Sequence, residues 1–137
     1  VITLWHVMEH LESLNETWEA LNSLLTEKGV LIVAVPNCSS YDAKKYGAYW
    51  AAYDVPRHLW HFTPGTIQRL GSKHGFILAE RHPMPFDAFY VSMLTEKNMR
   101  RSCPFMRGMI TGTLAWFHAL VKKERSSSMI YVFRKKR

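Results

Sequence analysis

Two stretches of this chain concentrate side chains that can move protons or hold ions. One is His6-Val7-Met8-Glu9-His10, which directly follows the apolar run Val1-Ile2-Thr3-Leu4-Trp5. The other is Tyr53-Asp54-Val55-Pro56-Arg57-His58-Leu59-Trp60-His61-Phe62-Thr63, where two His, one Asp and one Arg are interleaved with aromatics. Histidine is the natural general base near neutral pH, and the Arg fork can fix a carboxylate or phosphate through two N–H groups. As a string, His6-x-x-Glu9-His10 matches the His-x-x-Glu-His pattern of one metalloprotease group. That chemistry needs one continuous helix to turn both His toward a metal, and the residues before His6 read as strand. If a single helical turn follows the strand, His6, Glu9 and His10 share a face suited to zinc or another divalent ion. The plainer alternative has Glu9 and His10 hydrogen-bonding loop backbone or an organic ligand. In the second stretch the plainer alternative pairs Asp54 with Arg57 and packs Trp60 and Phe62 under a sheet. His58 and His61 stand three apart and need not share a role.

These residues have to be held by an α/β framework. Val1 to Trp5 reads as a strand, and Val30 to Val35, apolar on both faces, reads as a central parallel strand. Between them, Leu14, Trp18, Leu21 and Leu25 recur at helical spacing, with Asn15 as the expected N-cap and Glu16 in the first turn. Strand, helix, strand with short links is a βαβ unit. Ligands bind beyond the C-terminal ends of such strands, which places the likeliest site loops after Trp5 and after Pro36-Asn37. From Cys38 to His61 the chain reads as an irregular, aromatic-rich loop carrying Tyr41, Tyr46, Tyr49, Trp50, Tyr53 and Trp60. Thr63-Pro64 opens a helix with Thr as N-cap and Pro at its first position, and Gly75 stops it. A strand is expected from Phe76 to Arg81, helices over Asp87 to Met99 and Phe105 to Val121, and a last strand from Met129 to Arg134.

Composition narrows the function classes. A hydrophobic content of 47% supplies a core for one domain. Cys38 and Cys103 form no Cys-x-x-Cys pair, so neither a disulfide framework nor a structural zinc site is indicated, and a reducing cytoplasmic setting is expected. The formal charge of +7 gathers late in the chain, in Arg100, Arg101, Arg107, Lys122, Lys123, Arg125 and Arg134-Lys135-Lys136-Arg137. No nucleic-acid motif accompanies it, so no nucleic-acid partner is expected. The 105-to-121 stretch is too short and interrupted to span a bilayer. It reads as a cover helix over the substrate site or, through its basic flanks, as a peripheral membrane contact over 105–125. No Gly-x-Gly-x-x-Gly, Walker or Gly-x-Ser-x-Gly motif occurs.

In order and spacing, four segments resemble the class I S-adenosylmethionine-dependent methyltransferases, and within them the group similar to ubiquinone-biosynthesis O-methyltransferases. The segments are Val1 to Leu11, Gly29 to Asn37, Asp54 to Thr63 and Gly75-Phe76. The resemblance implies a Rossmann-like seven-stranded sheet with one antiparallel strand, of which residues 1–137 would hold strands four to seven. The last strand would be an antiparallel edge, and 83–125 a helical insertion before it. The Gly-rich cofactor loop would lie upstream, making this the C-terminal part of a single domain. S-adenosylmethionine is the implied cofactor, with Trp5, His6 and Val7 lining its methionine side. Glu9 and His10 would sit at the reacting centre. Asn37 and the 53-to-61 segment, including Tyr53, Asp54, Arg57 and His61, would contact a small-molecule acceptor, with Trp50 of the aromatic loop beside them. His10 or His58 would be the base, oriented by Glu9. Some relatives hold a divalent metal with a Glu-x-x-Glu-His version of the first segment; His6 replaces the first Glu here, and no metal is assigned. An aromatic or lipidic acceptor fits the aromatic loop and the apolar 105-to-121 stretch. The rival expectation is a non-enzymatic module derived from a methyltransferase that binds a membrane, nucleic acid or protein partner. An unpaired first strand also carries an expectation of self-association.

Overall fold

Val33 and Val35 alternate with Ile32 and Ala34, so apolar side chains leave this strand on both faces. Such a segment is stable only between neighbours. In the computed structural model, which describes residues 1–136, strand β2 (Leu31–Pro36) has a neighbour on each side. Strand β1 (Ile2–Trp5) runs parallel to it, with Ile2 opposite Leu31 and Trp5 opposite Ala34. Strand β4 (Ser128–Lys135) runs antiparallel on the other side, and strand β3 (Phe76–Met84) closes the order β1-β2-β4-β3. The expected last strand is thus antiparallel but not an edge: β4 lies between β2 and β3. Both its flanks are paired, with β2 and β3, while Met129, Tyr131 and Phe133 bury one of its faces.

Helix α1 (Leu14–Leu24) presents Leu14, Trp18 and Leu21 to the sheet, followed by Leu25, and all four are buried. It starts at Ser13 rather than Asn15. The Asn15 side chain is engaged elsewhere, accepting hydrogen bonds from Lys73 Nζ and His74 Nε2, each at 3.0 Å. The core between α1 and the sheet is aromatic: the Trp18 ring meets Phe76 and Phe133 edge-on, with centroids 5.4 and 5.3 Å apart. Helix α3 (Pro64–Lys73) begins as its sequence requires, with a reciprocal Thr63–Thr66 capping box and Pro64 in the first turn. It approaches β4 closely through Gly71, where a Cβ would lie 2.6 Å from the Phe133 ring.

The 38-to-61 segment is more ordered than expected. It forms helix α2 (Tyr41–Tyr46), N-capped by Ser40 Oγ accepting from Ala43 N–H at 3.1 Å, and then two 3-10 turns, Gly47–Tyr49 and Ala51–Tyr53. A small apolar cluster of Ala43, Tyr46, Trp50 and Val91, together with short polar contacts, holds it. Asp42 is fully buried and accepts from Trp50 Nε1 and Ser127 Oγ, both at 2.7 Å. Helices α4 (Asp87–Asn98) and α5 (Pro104–Val121) form a hairpin between β3 and β4. Glu96 of α4, also buried, receives Tyr46 Oη and Arg107 Nε, each at 3.1 Å, and so ties α2 and α5 to α4.

The two sheet edges differ. In β3 the register slips between Leu78 and Glu80, and Glu80, Arg81 and His82 are exposed. The four residues of β1 carry no charge and no bulge.

Candidate functional site

The C-terminal ends of β1, β2 and β3 and the start of antiparallel β4 lie along one side of the sheet. Pro36 and Met84 are both in register with Ser128. This is where open α/β sheets bind ligands, and it carries a cavity of about 410 Å³. Its polar wall is His6, Glu9, Asp54, Arg57, His58 and Asp87; its apolar wall includes Ala51, Ala52, Tyr90, Val91 and Leu94.

The chain leaves β1 through His6 in the left-handed region, at φ 51, and turns at once into the 3-10 turn Met8–His10. His tolerates that conformation better than most residues, and the bend points its ring at two carboxylates. Nδ1 is 3.3 Å from Glu9 Oε1, and Nε2 is 3.5 Å from Asp87 Oδ2. The hydrogen bonds to Asp87 and Glu9 raise the His6 pKa to about 9 against the opposing effect of burial, so the ring is an imidazolium at neutral pH. Burial works to raise the Asp87 carboxyl, but hydrogen bonds from His6 and Ser128 and the His6 charge hold it below its ordinary value.

The two motif stretches are locked together through one carbonyl. Glu9 O accepts from Leu59 N–H at 2.8 Å and from Trp60 N–H at 3.2 Å, and Trp60 Nε1 donates to Leu11 O at 2.7 Å. This brings the His10 and His58 rings edge to face, 4.6 Å apart. In both, Nδ1 is committed: His10 Nδ1–H donates to Arg57 O at 2.9 Å, and His58 Nδ1–H to Ala52 O at 2.8 Å. A carbonyl can only accept, so each neutral imidazole keeps its lone pair on Nε2. Glu9, His10 and His58 each offer one donor atom within 4.8 Å of the others. Glu9 Oε2 is buried without a protein partner. Asp54, itself left-handed at φ 39, pairs with Arg57 at 2.6 Å; that bond, outweighing burial, holds its carboxyl below the usual range. His58 Nε2 lies 3.9 Å from Asp54 Oδ2.

Of the residues expected at the site, His6, Glu9, Asp54, Arg57 and His58 share the cavity wall, with His10 behind His58. His6 faces Glu9 and Asp87, whereas its neighbours Trp5 and Val7 are 49% and 37% exposed. His6, Glu9 and His10 do not share one face: His10 turns to Arg57 and His58. Four other expected contacts lie off the cavity. Asn37 is buried and pins the segment before β4, donating to Glu124 O and Ser126 O at 2.8 and 2.9 Å. Trp50 is buried against Asp42, Tyr53 packs edge-on to Trp50, and exposed His61 donates to Tyr53 O at 3.0 Å. The apolar wall comes from α4 and the 3-10 turn Ala51–Tyr53, and α5 stacks behind α4. Asp87 was not among the expected residues. The signal was its place just after β3, at the same end of the sheet as His6.

A family model described as a methyltransferase domain matches residues 1–80. No curated protein matches the sequence. Among solved structures, the [4+2]-cyclase SpnF is similar at 11% identity and TM-score 0.57, over 98% of this chain and 48% of its own. The cyclopropane synthase MmaA2 from Mycobacterium tuberculosis is similar at 14% identity and TM-score 0.55, over 98% and 54%. Phosphoethanolamine N-methyltransferase 2 from Haemonchus contortus, solved with phosphomonomethylethanolamine and S-adenosylhomocysteine, is similar at 10% identity and TM-score 0.53, over 98% and 33%. At such identities the likeness shows the fold, a partial Rossmann-like α/β architecture, and the chain spans about half or less of the length of these structures. The family match extends over more than half of the chain, from β1 into β3: this chain belongs to the methyltransferase domain family.

Proposed function

We propose that this chain forms the acceptor side of an S-adenosylmethionine-dependent methyltransferase, and that His58 takes the proton from a small-molecule hydroxyl as it is methylated. The observation that carries the reading is His58 in the cavity wall with Nδ1–H tied to Ala52 O, which leaves the Nε2 lone pair free. When bound, S-adenosylmethionine supplies an electrophilic methyl group on its sulfonium. Trp5 and Val7, exposed on either side of His6, are free to contact its methionine end. The 137 residues contain no Gly-rich phosphate-type loop, so the proposal assigns the adenosyl side of the cofactor to residues outside this sequence.

The chain's own residues have separable roles in this scheme. The imidazolium of His6, clamped by Glu9 and Asp87, fixes the loop after β1 and the start of α4 in one geometry. Asp54 stands beside His58 Nε2 and would stabilise the imidazolium formed on proton uptake. Tyr90, Val91 and Leu94 offer an apolar bed for an aromatic or lipidic body whose hydroxyl points at His58. The resemblance of the 1-to-11 and 54-to-63 segments to ubiquinone-biosynthesis O-methyltransferases supports an oxygen rather than nitrogen acceptor.

The test is His58→Gln in the full-length protein, assayed against phenolic acceptors. Loss of a general base lowers kcat by about 10²–10⁴-fold while leaving S-adenosylhomocysteine affinity unchanged. An unaltered kcat would remove His58 from the reaction. A divalent ion held by Glu9, His10 and His58 would occupy the lone pair on which the scheme depends. Turnover is therefore expected to survive EDTA and to fall when Zn²⁺ is added. Loss of turnover in EDTA, restored by metal, would replace the base with a Lewis acid.

A further inference from the structure

Helix α5 is amphipathic in an unusual sense. Its buried face is made of small residues, Gly108, Thr111, Gly112, Ala115 and Ala119. These let it lie directly on α4: a Cβ on Gly108 would sit 2.5 Å from Met93 Cα, and one on Gly112 2.8 Å from Phe89 Cα. Its large apolar side chains point the other way. Met106, Ile110, Leu114, Phe117 and Val121 recur at helical spacing and are exposed, Ile110 at 58%, Phe117 at 54% and Val121 at 89%. A contiguous apolar face of this kind marks an interaction surface.

What the face meets is indicated by the charge around it. Arg100, Arg101 and Arg107 stand at its N-terminal end, where Arg101 and Arg107 pair with Glu96 at 3.8 and 3.1 Å, and Lys122, Lys123 and Arg125 follow Val121 directly. At that second end lies a polar cavity of about 560 Å³, where Lys44, Arg81, Lys122 and Arg125 face a single carboxylate, Glu124. Glu124 Oε1 takes the Arg81 guanidinium at 2.7 Å, and its Oε2 lies 3.9 Å from Lys122 Nζ, so Lys44 and Arg125 have no carboxylate partner there. No helix among the described residues is long and apolar enough to cross a membrane. An apolar helix face with cations at its C-terminal end, beside a cationic cavity, has the chemistry of an interfacial helix on anionic lipid. A protein groove would complement the apolar stripe alone and leave Lys44 and Arg125 in the adjoining cavity without an anionic partner.

We propose that the exposed face of α5 docks on an anionic phospholipid surface, with its apolar stripe at the acyl boundary and the Lys44–Arg81–Lys122–Arg125 cavity receiving a lipid phosphate. This surface is separate from the cavity assigned to methyl transfer and does not depend on that assignment.

The experiment is cosedimentation of the full-length protein with vesicles of phosphatidylcholine, with and without phosphatidylglycerol. Binding is expected only with phosphatidylglycerol and should weaken as salt rises. The Ile110→Asp/Leu114→Asp/Phe117→Asp variant should lose binding while keeping native circular dichroism. If it fails to fold, Ile110→Ser/Phe117→Ser is read instead. Lys122→Glu/Arg125→Glu should weaken binding by about fivefold or more for each charge reversed. Equal binding to neutral vesicles, unchanged binding by the apolar variants, or no binding at low salt would overturn the proposal. So would a dimer that dissociates in the apolar variant without any vesicle binding, since the face would then cover a second copy. Inorganic phosphate competing away all vesicle binding would also overturn it, by reducing the site to a free-anion pocket.

Discussion

His6 carries the largest perturbation at the candidate site, and its effect on stability can be given a sign. Its pKa rises from 6.5 in the open chain to about 9 in the fold. The imidazolium that bridges Glu9 and Asp87 therefore contributes fully below pH 6.5, and its contribution is lost as pH climbs through about 9. Thermal unfolding should show a midpoint that declines across this window, and His6→Gln should remove most of the slope. A midpoint that is flat in the native protein would mean that Glu9 and Asp87 do not hold the charge. At this scale the sequence was informative where neighbours in sequence are also neighbours in space. Glu9 and His10 were legible because they follow a strand end directly, and Arg57 and His58 because they lie in one short run of Asp, Arg and His. Asp87 was not, because its meaning depends on β3 and β1 ending at the same side of the sheet. Asn37 and Trp50 have the right chemistry for a site, yet backbone carbonyls and buried Asp42 take up their donors, and His61 lies exposed off the cavity with Nε2 on Tyr53 O.

Elements were legible where apolar periodicity or a cap defines them. The Leu14-Trp18-Leu21-Leu25 face and the Thr63-Pro64 helix start follow directly from local rules. Helix α2 was missed because it is short and held from outside: its Ser40 cap is local, but Asp42 is satisfied by Trp50 and by distant Ser127. The close approaches between elements rest on glycines, and two substitutions test them. Gly71→Ala drives a methyl group into the Phe133 ring, which is fully buried in the aromatic core and cannot swing away. We expect a loss of about 1–3 kcal/mol by denaturant titration; an unchanged midpoint would mean that α3 slides along β4 at no cost. Asn37→Ala strips the 124-to-126 segment of two donated hydrogen bonds inside a buried site. About 2–3 kcal/mol should go with them, and protease should then cut between α5 and β4. A variant as stable and as protease-resistant as the native chain would show that segment to be held by other contacts.

Across the whole molecule, the sheet order β1-β2-β4-β3 and the methyltransferase family match agree with the architecture implied by four short segments. Only the position of β4 departed from expectation. Strand order is set by which flanks must be buried, and a single strand's sequence does not record its neighbours. The two sheet edges have a consequence for assembly. At β3 the bulge and the exposed Glu80, Arg81 and His82 blunt the edge against further pairing. At β1 nothing does, so this 137-residue chain should pair through β1, and light scattering should detect the complex. Thr3→Lys, at an exposed position in β1, should abolish it, and a strictly monomeric native chain would refute the pairing. Because β3 is closed to incoming strands, two copies joined edge to edge at β1 present only blunted edges outward. Pairing through β1 is therefore expected to stop at a dimer rather than propagate into a fibre.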